Sequence, residues 1–175
     1  INPIKISVES DWSSASYFYS IVAMAEIGYS MTLSSFNKSS LQGDSNIAEI
    51  YKVFGVKTIY TEKKIKLEKV KSNMQKFSYN LTSNPDLAQT ICITCLGLGY
   101  SCNLTGLHTL KIKETDRLIA LKNELGKFGL TVAINEDSIS FGRHKDILKP
   151  NVMIETYDDH RMAMSFACLV MKTDI

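Results

Sequence analysis

Apolar residues alternate with polar ones in some stretches and recur every third or fourth position in others. The switches between these two periods lay out the elements. Ile4-Lys5-Ile6-Ser7-Val8 alternates and reads as a strand. Residues 11–25 carry a helical pattern with Asp11 or Ser13 in the cap position. A weaker strand at 31–36 precedes a helix over 44–54, whose Ile47, Ile50, Tyr51 and Phe54 share one face and which stops at Gly55. Residues 56–61 and 65–70 read as two strands around a charged turn. The order then recurs: a strand at 77–81, an apolar helix opened by Pro85-Asp86 and running to Leu96 with Gly97 as its stop, and a strand over 102–112. A second helix over 115–128 stops at Gly129, and strands at 130–134 and 138–141 close the round. A third round begins at 152–156 and runs through Asp158-Asp159 into a helix at 162–171.

The register of these features supports an internal repeat. Asp11 and Asp86 are 75 positions apart, Asp86 and Asp159 are 73 apart, and Phe54-Gly55 recurs 74 positions later as Phe128-Gly129. Each unit reads β-α-β-α-β-β, which predicts an α/β (α+β) domain of units at about 1–76 and 77–150 and the start of a third at 151–175. The first helix of each unit is apolar nearly all round (Ile21-Val22-Ala23-Met24-Ala25, Ile91-Cys92-Ile93, Phe166-Ala167-Cys168-Leu169-Val170), as a buried helix is. The second helices are amphipathic and belong outside. If the buried helices are parallel, their N-termini converge on one rim. Asp11, Asp86, Asp159, His160 and Arg161 then share a face with residues 113–117. Helix N-termini and arginines together suit phosphate and carboxylate groups.

At 175 residues the chain is one large domain, or a domain and a fragment. A formal charge of +2 gives no reason to expect a nucleic-acid partner; the densest basic run, residues 63–69, alternates Lys with Ile and Leu as a strand with one wet face does. The start has no apolar run of signal-peptide type. The uncharged span 87–110 is broken by Gln89, Asn103, His108 and glycines, so no membrane span is expected. Cys92 and Cys95 form a C-x-x-C inside an apolar helical pattern with no second ligand pair nearby. With Cys102 and Cys168 they read as reduced core thiols, with no metal, in a cytoplasmic protein. A first residue that is Ile, and an end at Ile175 just after an apolar helix, suggest a piece of something longer.

Candidate chemistry concentrates in Lys111-Ile112-Lys113-Glu114-Thr115-Asp116-Arg117-Leu118, where an apolar segment hands over to a helix. Spacing alone leaves two readings open: a solvated helix start with Glu114 and Arg117 as an i, i+3 surface pair, or a site at the junction of strand and helix.

Four strings decide the matter. Lys113-Glu114-Thr115-Asp116-Arg117, Asn84-Pro85-Asp86, residues Asp11-Trp12-Ser13-Ser14-Ala15-Ser16-Tyr17-Phe18, and Tyr157-Asp158-Asp159-His160-Arg161-Met162-Ala163-Met164 together resemble the 3-phosphoshikimate 1-carboxyvinyltransferase (EPSP synthase) family; Gln42-Gly43-Asp44 also matches. The resemblance is to that family's C-terminal half and covers nearly the whole chain. It implies an enolpyruvyltransferase-like fold, an inside-out α/β barrel with units around buried parallel helices, and a site in the cleft against an N-terminal domain absent here. It implies phosphoenolpyruvate and shikimate 3-phosphate as substrates, with no metal and no organic cofactor. By resemblance Asp86 is the base at the 5-hydroxyl, Glu114 trades a proton with the methylene, and Lys113 contacts the phosphate ester or the reacting centre. Arg117 and Arg161 hold phosphoenolpyruvate, and His160 is a positioning group. Thr109 stands where some members have an Asn that touches shikimate 3-phosphate. The family's Lys-Ser pair and further phosphate-binding residues lie in the N-terminal half, so the 175 residues alone are expected to be inactive, with an unfinished third unit that favours dimerisation or weak stability. The rival readings are UDP-N-acetylglucosamine 1-carboxyvinyltransferase, which shares fold and donor, and a non-catalytic α/β scaffold module.

Overall fold

A computed structural model describes residues 8–144 and 146–175. The strand expected over residues 4–8 therefore lies almost wholly outside the described residues. Helix α1 (Trp12–Met24) is capped by Asp11, whose carboxylate accepts from the backbone N–H of Ser13 and Ser14. Strands β1 (Ser30–Ser34), β2 (Val56–Thr61) and β3 (Lys64–Lys69) form an antiparallel sheet in the order β1-β3-β2. Strands β4 (Lys76–Asn80), β5 (Ser101–Thr105), β6 (Val132–Ile134) and β7 (Ile139–Phe141) form a second sheet, β4-β5-β7-β6, in which only β4 and β5 run parallel. The last three strands of the second sheet repeat the order of the first, so the repeat is one of topology as well as of pattern.

Three helices pack side by side, with α3 (Ala88–Leu98) between α1 and α5 (His160–Ala167); α1 meets the first sheet and α3 the second. Their register is fixed by hydroxyls. Ser16 Oγ meets Thr90 Oγ1 at 2.9 Å and Thr90 meets Ser165 Oγ at 3.2 Å. One turn further down, Thr94 donates to Ser20 at 2.8 Å and meets the Tyr51 hydroxyl at 2.8 Å. The serine–threonine partners are 74 or 75 residues apart. Residues at the same level of three successive units thus face one axis, with the three helices parallel. All these hydroxyls are buried and bond one another, and Thr94 Oγ1 also reaches the Thr90 carbonyl at 2.8 Å. Where α1 and α3 approach, Gly97 leaves room for Met24, whose Sδ would stand 2.2 Å from an added Cβ. The helix runs through Gly97 and stops at Gly99, whose left-handed φ of +69 closes it.

Three expectations are corrected. The strand expected over 102–112 ends at Thr105, because Gly106 has φ +76 and backs onto Thr82, after which residues His108–Ile112 form a 3-10 turn with Leu110 inside. The helix expected over 44–54 breaks into a 3-10 turn (Gly43–Asn46), a single α turn, α2 (Ile47–Ile50), and another 3-10 turn (Tyr51–Phe54), with no side chain capping its start. Residues 152–156 pair with no strand among the described residues, and α5 is buried on one face only: Met162, Ser165 and Phe166 are inside, while Met164 and Ala167 are exposed. The amphipathic helix α4 (Arg117–Lys127) lies outside as expected, capped by Asp116 through the N–H groups of Leu118 and Ile119. All four cysteines are unbridged and buried.

Candidate active site

The convergence of helix starts is where the charges meet, but the three aspartates have different tasks. Asp11 and Asp159 cap α1 and α5. Asp86 caps nothing. It sits in the 3-10 turn Pro85–Leu87 ahead of α3, whose N-terminal flank Asn84 makes no capping bond with its side chain. Measured by the hydroxyl ladder, residues 12, 86 and 161 are at one level, so the sequence alignment of Asp11 with Asp86 and Asp159 is off by one or two positions. Freed from capping, Asp86 meets three cations: Arg117 Nη1 at 3.0 Å and Lys113 Nζ at 3.3 Å on Oδ1, and Arg161 Nη2 at 3.1 Å on Oδ2.

Arg117 is the hub. Its Nε donates to Asp159 Oδ2 at 2.6 Å, its Nη1 to Asp86, and its Nη2 to Glu114 Oε2 at 2.6 Å. Only 1 % of its side chain is exposed, against 24 % for Asp86 and 47 % for Glu114. The open choice between surface pair and site is thereby settled against a surface pair: Glu114 and Arg117 do bond at i, i+3, but the arginine is buried among three carboxylates. A buried guanidinium is tolerable only because its N–H directions are matched by acceptors. The Arg161 side chain reaches Asp86 and not its neighbours in sequence; it is Arg117 that binds Asp159.

Burial pushes the Asp159 carboxyl up, but the bond from Arg117 and the amides of Arg161 and Met162 outweigh it, and the group stays below the ordinary carboxylate range. Asp44 goes the other way. Burial, with the Asp86 charge beside it, lifts its carboxyl above the ordinary range despite the hydroxyl of Ser13 that donates to it and the nearby Arg161. Asn84 ties the two units together here: its Nδ2 donates to the Gly43 carbonyl at 2.6 Å.

The other expected residues are more loosely placed. His160 is exposed at the start of α5. Thr109 lies in the 3-10 turn just before Lys113, with its hydroxyl buried. Tyr157 packs against the core with its body, while its hydroxyl donates to Glu124 Oε1 at 2.9 Å. The sequence reading missed the role of Asp159 as the main partner of Arg117, and Glu124 altogether; the one available signal for the latter is an acid on the apolar side of an amphipathic helix. The arrangement can hold an anion beside two carboxylates, and can hand protons between those carboxylates and a bound molecule. No group of His, Cys, Asp and Glu suited to a metal ion occurs among the described residues.

Comparison with known proteins agrees with this geometry. Residues 2–174 match the family described as EPSP synthase (3-phosphoshikimate 1-carboxyvinyltransferase). The chain is 42% identical to the 3-phosphoshikimate 1-carboxyvinyltransferase of Bacteroides fragilis (strain YCH46) over 165 residues, which is 94% of this chain and 40% of that protein. It is 35% identical over 166 residues to the protein of that name from Neisseria meningitidis serogroup C, covering 94% of this chain and 38% of the relative. The chain thus spans about 40% of the length of the curated relatives it matches. In three dimensions it resembles an EPSP synthase structure from Acinetobacter baumannii at a TM-score of 0.72 and 23% identity, covering 95% of this chain and 40% of that one, which speaks to the fold. With the family's strings in order, an enolpyruvyltransferase-like fold and the charged residues gathered on one rim, the chain belongs to the EPSP synthase family.

Proposed function

We propose that these residues form one half of a site that transfers the enolpyruvyl group of phosphoenolpyruvate to the 5-hydroxyl of shikimate 3-phosphate, in the cytoplasm. The carrying observation is the Asp86 carboxylate held between Lys113, Arg117 and Arg161 on the rim of three helix starts. In this reading Glu114, once it has parted from Arg117 and taken up a proton from solvent, gives that proton to the methylene carbon of phosphoenolpyruvate, leaving a cationic C2. The 5-hydroxyl loses its proton to Asp86, and its oxygen forms the new C–O bond. The adduct then loses a methyl proton, back to Glu114, and phosphate leaves as its C–O bond breaks. Arg161, with only one contact to Asp86, and Lys113 hold phosphate and carboxylate oxygens. Arg117 orients Asp86 and Glu114, and offers an N–H to the ligand when the half-exposed Glu114 swings away. Thr109 and His160 line the acceptor side.

The charge balance supports a half-site. Asp86, Glu114 and Asp159 face Lys113, Arg117 and Arg161, so the cluster is neutral before any ligand arrives. A multiply charged anion is not drawn strongly to a neutral cluster. We infer that further cations come from a complementary domain, corresponding to the part of the relatives that this chain does not cover. The reading treats the 175 residues as two units and the start of a third within one such half.

The test joins this chain to the uncovered portion of the Bacteroides fragilis relative and follows phosphate release from phosphoenolpyruvate. Release is expected with shikimate 3-phosphate and not with UDP-N-acetylglucosamine, with none from the 175 residues alone. Asp86→Ala and Glu114→Gln should each lower the rate by about 10²–10⁴-fold. Release with only the nucleotide sugar, or an unaffected Asp86→Ala, overturns the assignment.

A further inference from the structure

Helix α4 carries a second buried charge that the chemistry above does not use. Glu124 lies seven residues after Arg117, two turns along and on the same face, about 10 Å away along the axis. Its side chain is as buried as that of Arg117. Both reach into the same segment, residues 153–159. Arg117 binds Asp159 at the segment's end. Glu124 Oε1 accepts the Tyr157 hydroxyl at 2.9 Å, and Oε2 accepts the Glu155 N–H at 3.0 Å. Lys127 closes the set by donating to Glu124 Oε2 at 2.5 Å and to the Met153 carbonyl at 3.0 Å.

The clamped segment has a backbone that would not hold itself. Tyr157 and Asp158 have φ of +57 and +52, two successive non-glycine residues in the left-handed region. Such residues persist where surrounding contacts over-determine them. Immediately afterwards come Asp159, His160 and Arg161. The direction in which this turn delivers the chain therefore sets where Asp159 meets Arg117 and where Arg161 meets Asp86.

We infer that Glu124 and Tyr157 are positioning residues of the site: anchored on α4, they fix the 155–158 turn and so the mutual placement of Arg117, Asp159 and Arg161. As a statement about catalysis this rests on the enolpyruvyl-transfer reading; as a statement about geometry it does not.

The test uses the 175-residue chain and NMR. The Arg117 Nε–H, buried against Asp159, should give a slowly exchanging signal. In Glu124→Leu its exchange should rise at least tenfold relative to the core amides of α3, and in the chain joined to the uncovered portion of the relative the ligand-induced shift at Arg161 should be lost. Glu124→Gln, which keeps an acceptor, should restore most of the protection, and Tyr157→Phe should show a smaller rise of the same kind. A purely structural role would instead speed exchange at Arg117 and in α3 by the same factor. That outcome, or an unmoved Arg117 signal in Tyr157→Phe, overturns the inference, and the phenylalanine variant decides alone if the leucine variant does not fold. If the variants behave as expected but phosphoenolpyruvate with shikimate 3-phosphate leaves residues 86, 113 and 161 unshifted in the chain joined to the uncovered portion of the relative, the clamp stands and the functional reading falls.

Discussion

The first and second units place very different chemistry at one position of the fold. Seventy-four residues apart, Gln42-Gly43 and Asp116-Arg117 each stand at the start of a unit's second helix. In the first unit this position is a latch. The Gln42 side chain accepts the Trp12 N–H at 2.8 Å and donates to the Ser10 carbonyl at 2.9 Å, and Glu9 collects Trp12 Nε1, the Asn37 N–H and the Ser40 hydroxyl. In the second unit the connection before the helix is longer, residues 106–116 against 35–42, and the added length carries the His108–Ile112 turn. The helix start then caps itself through Asp116, and Arg117 is sent across to the first helices of two units, at Asp86 and Asp159. One scaffold position can thus close a unit on itself or join units around a charge. The joining version is the one found at the proposed site.

The sharpest way to break this contrast is to remove the joining residue. Arg117→Met keeps volume but leaves Asp159, fully buried, with only its backbone donors, and strips Asp86 and Glu114 of their shared partner. Losing one member of a buried ion cluster costs about 3–5 kcal/mol, to be read from the urea midpoint at constant m. The matching change in the first unit, Gly43→Ala, puts a Cβ 3.2 Å from the Ser83 carbonyl, a contact that a few tenths of an ångström relieve. It should cost under about 1 kcal/mol. Comparable losses at the two positions would mean that Arg117 is no hub.

Removing the latch should cost less than removing the hub and leave the site alone. Gln42→Ala deletes two good hydrogen bonds at a partly buried place, for about 1–2 kcal/mol, with the Arg117 Nε–H still protected. If that signal is lost as well, the two positions are coupled through Asn84 and Gly43, and the units cannot be treated as separate bodies.

How much of this contrast could be read from the chain depends on the range of the interaction. The periodicity located α1, α3, α4 and both sheets, because core-facing positions repeat locally. It failed where a local feature overruled the pattern, as at Gly106, and where a helix lacked a cap, as over residues 43–54. The repeat itself was visible, but its register was taken from aspartates, which mix caps with a functional group. The small buried hydroxyls at 16, 90 and 165 were the better rulers, since they must face one another to be satisfied. Site membership came from the family's strings. That Arg117 would be saturated by carboxylates 3, 31 and 42 residues away, and that Glu124 would hold Tyr157, depends on how separate segments pack, and nothing in the local pattern encodes it.

The smallest expected effect separates the two positions by pH. Asp159, at the joining position, has a carboxyl held low in the fold, so its contribution to stability is full above the ordinary carboxylate range and is lost as pH falls through its lowered value. Asp11 and Glu9 act in the same direction. Asp44, at the latch, has its carboxyl raised, chiefly by burial, so ionising it costs the fold something that appears as pH climbs past its ordinary value. Asp44→Asn keeps an acceptor for Ser13 and removes that cost. Urea unfolding of the two proteins should coincide below about pH 3, where an aspartate is neutral folded or unfolded, and the variant should be the more stable by pH 7. The opposite sign at pH 7 would show that Arg161 holds Asp44 as a favourable ion, and the latch would then belong electrostatically to the site.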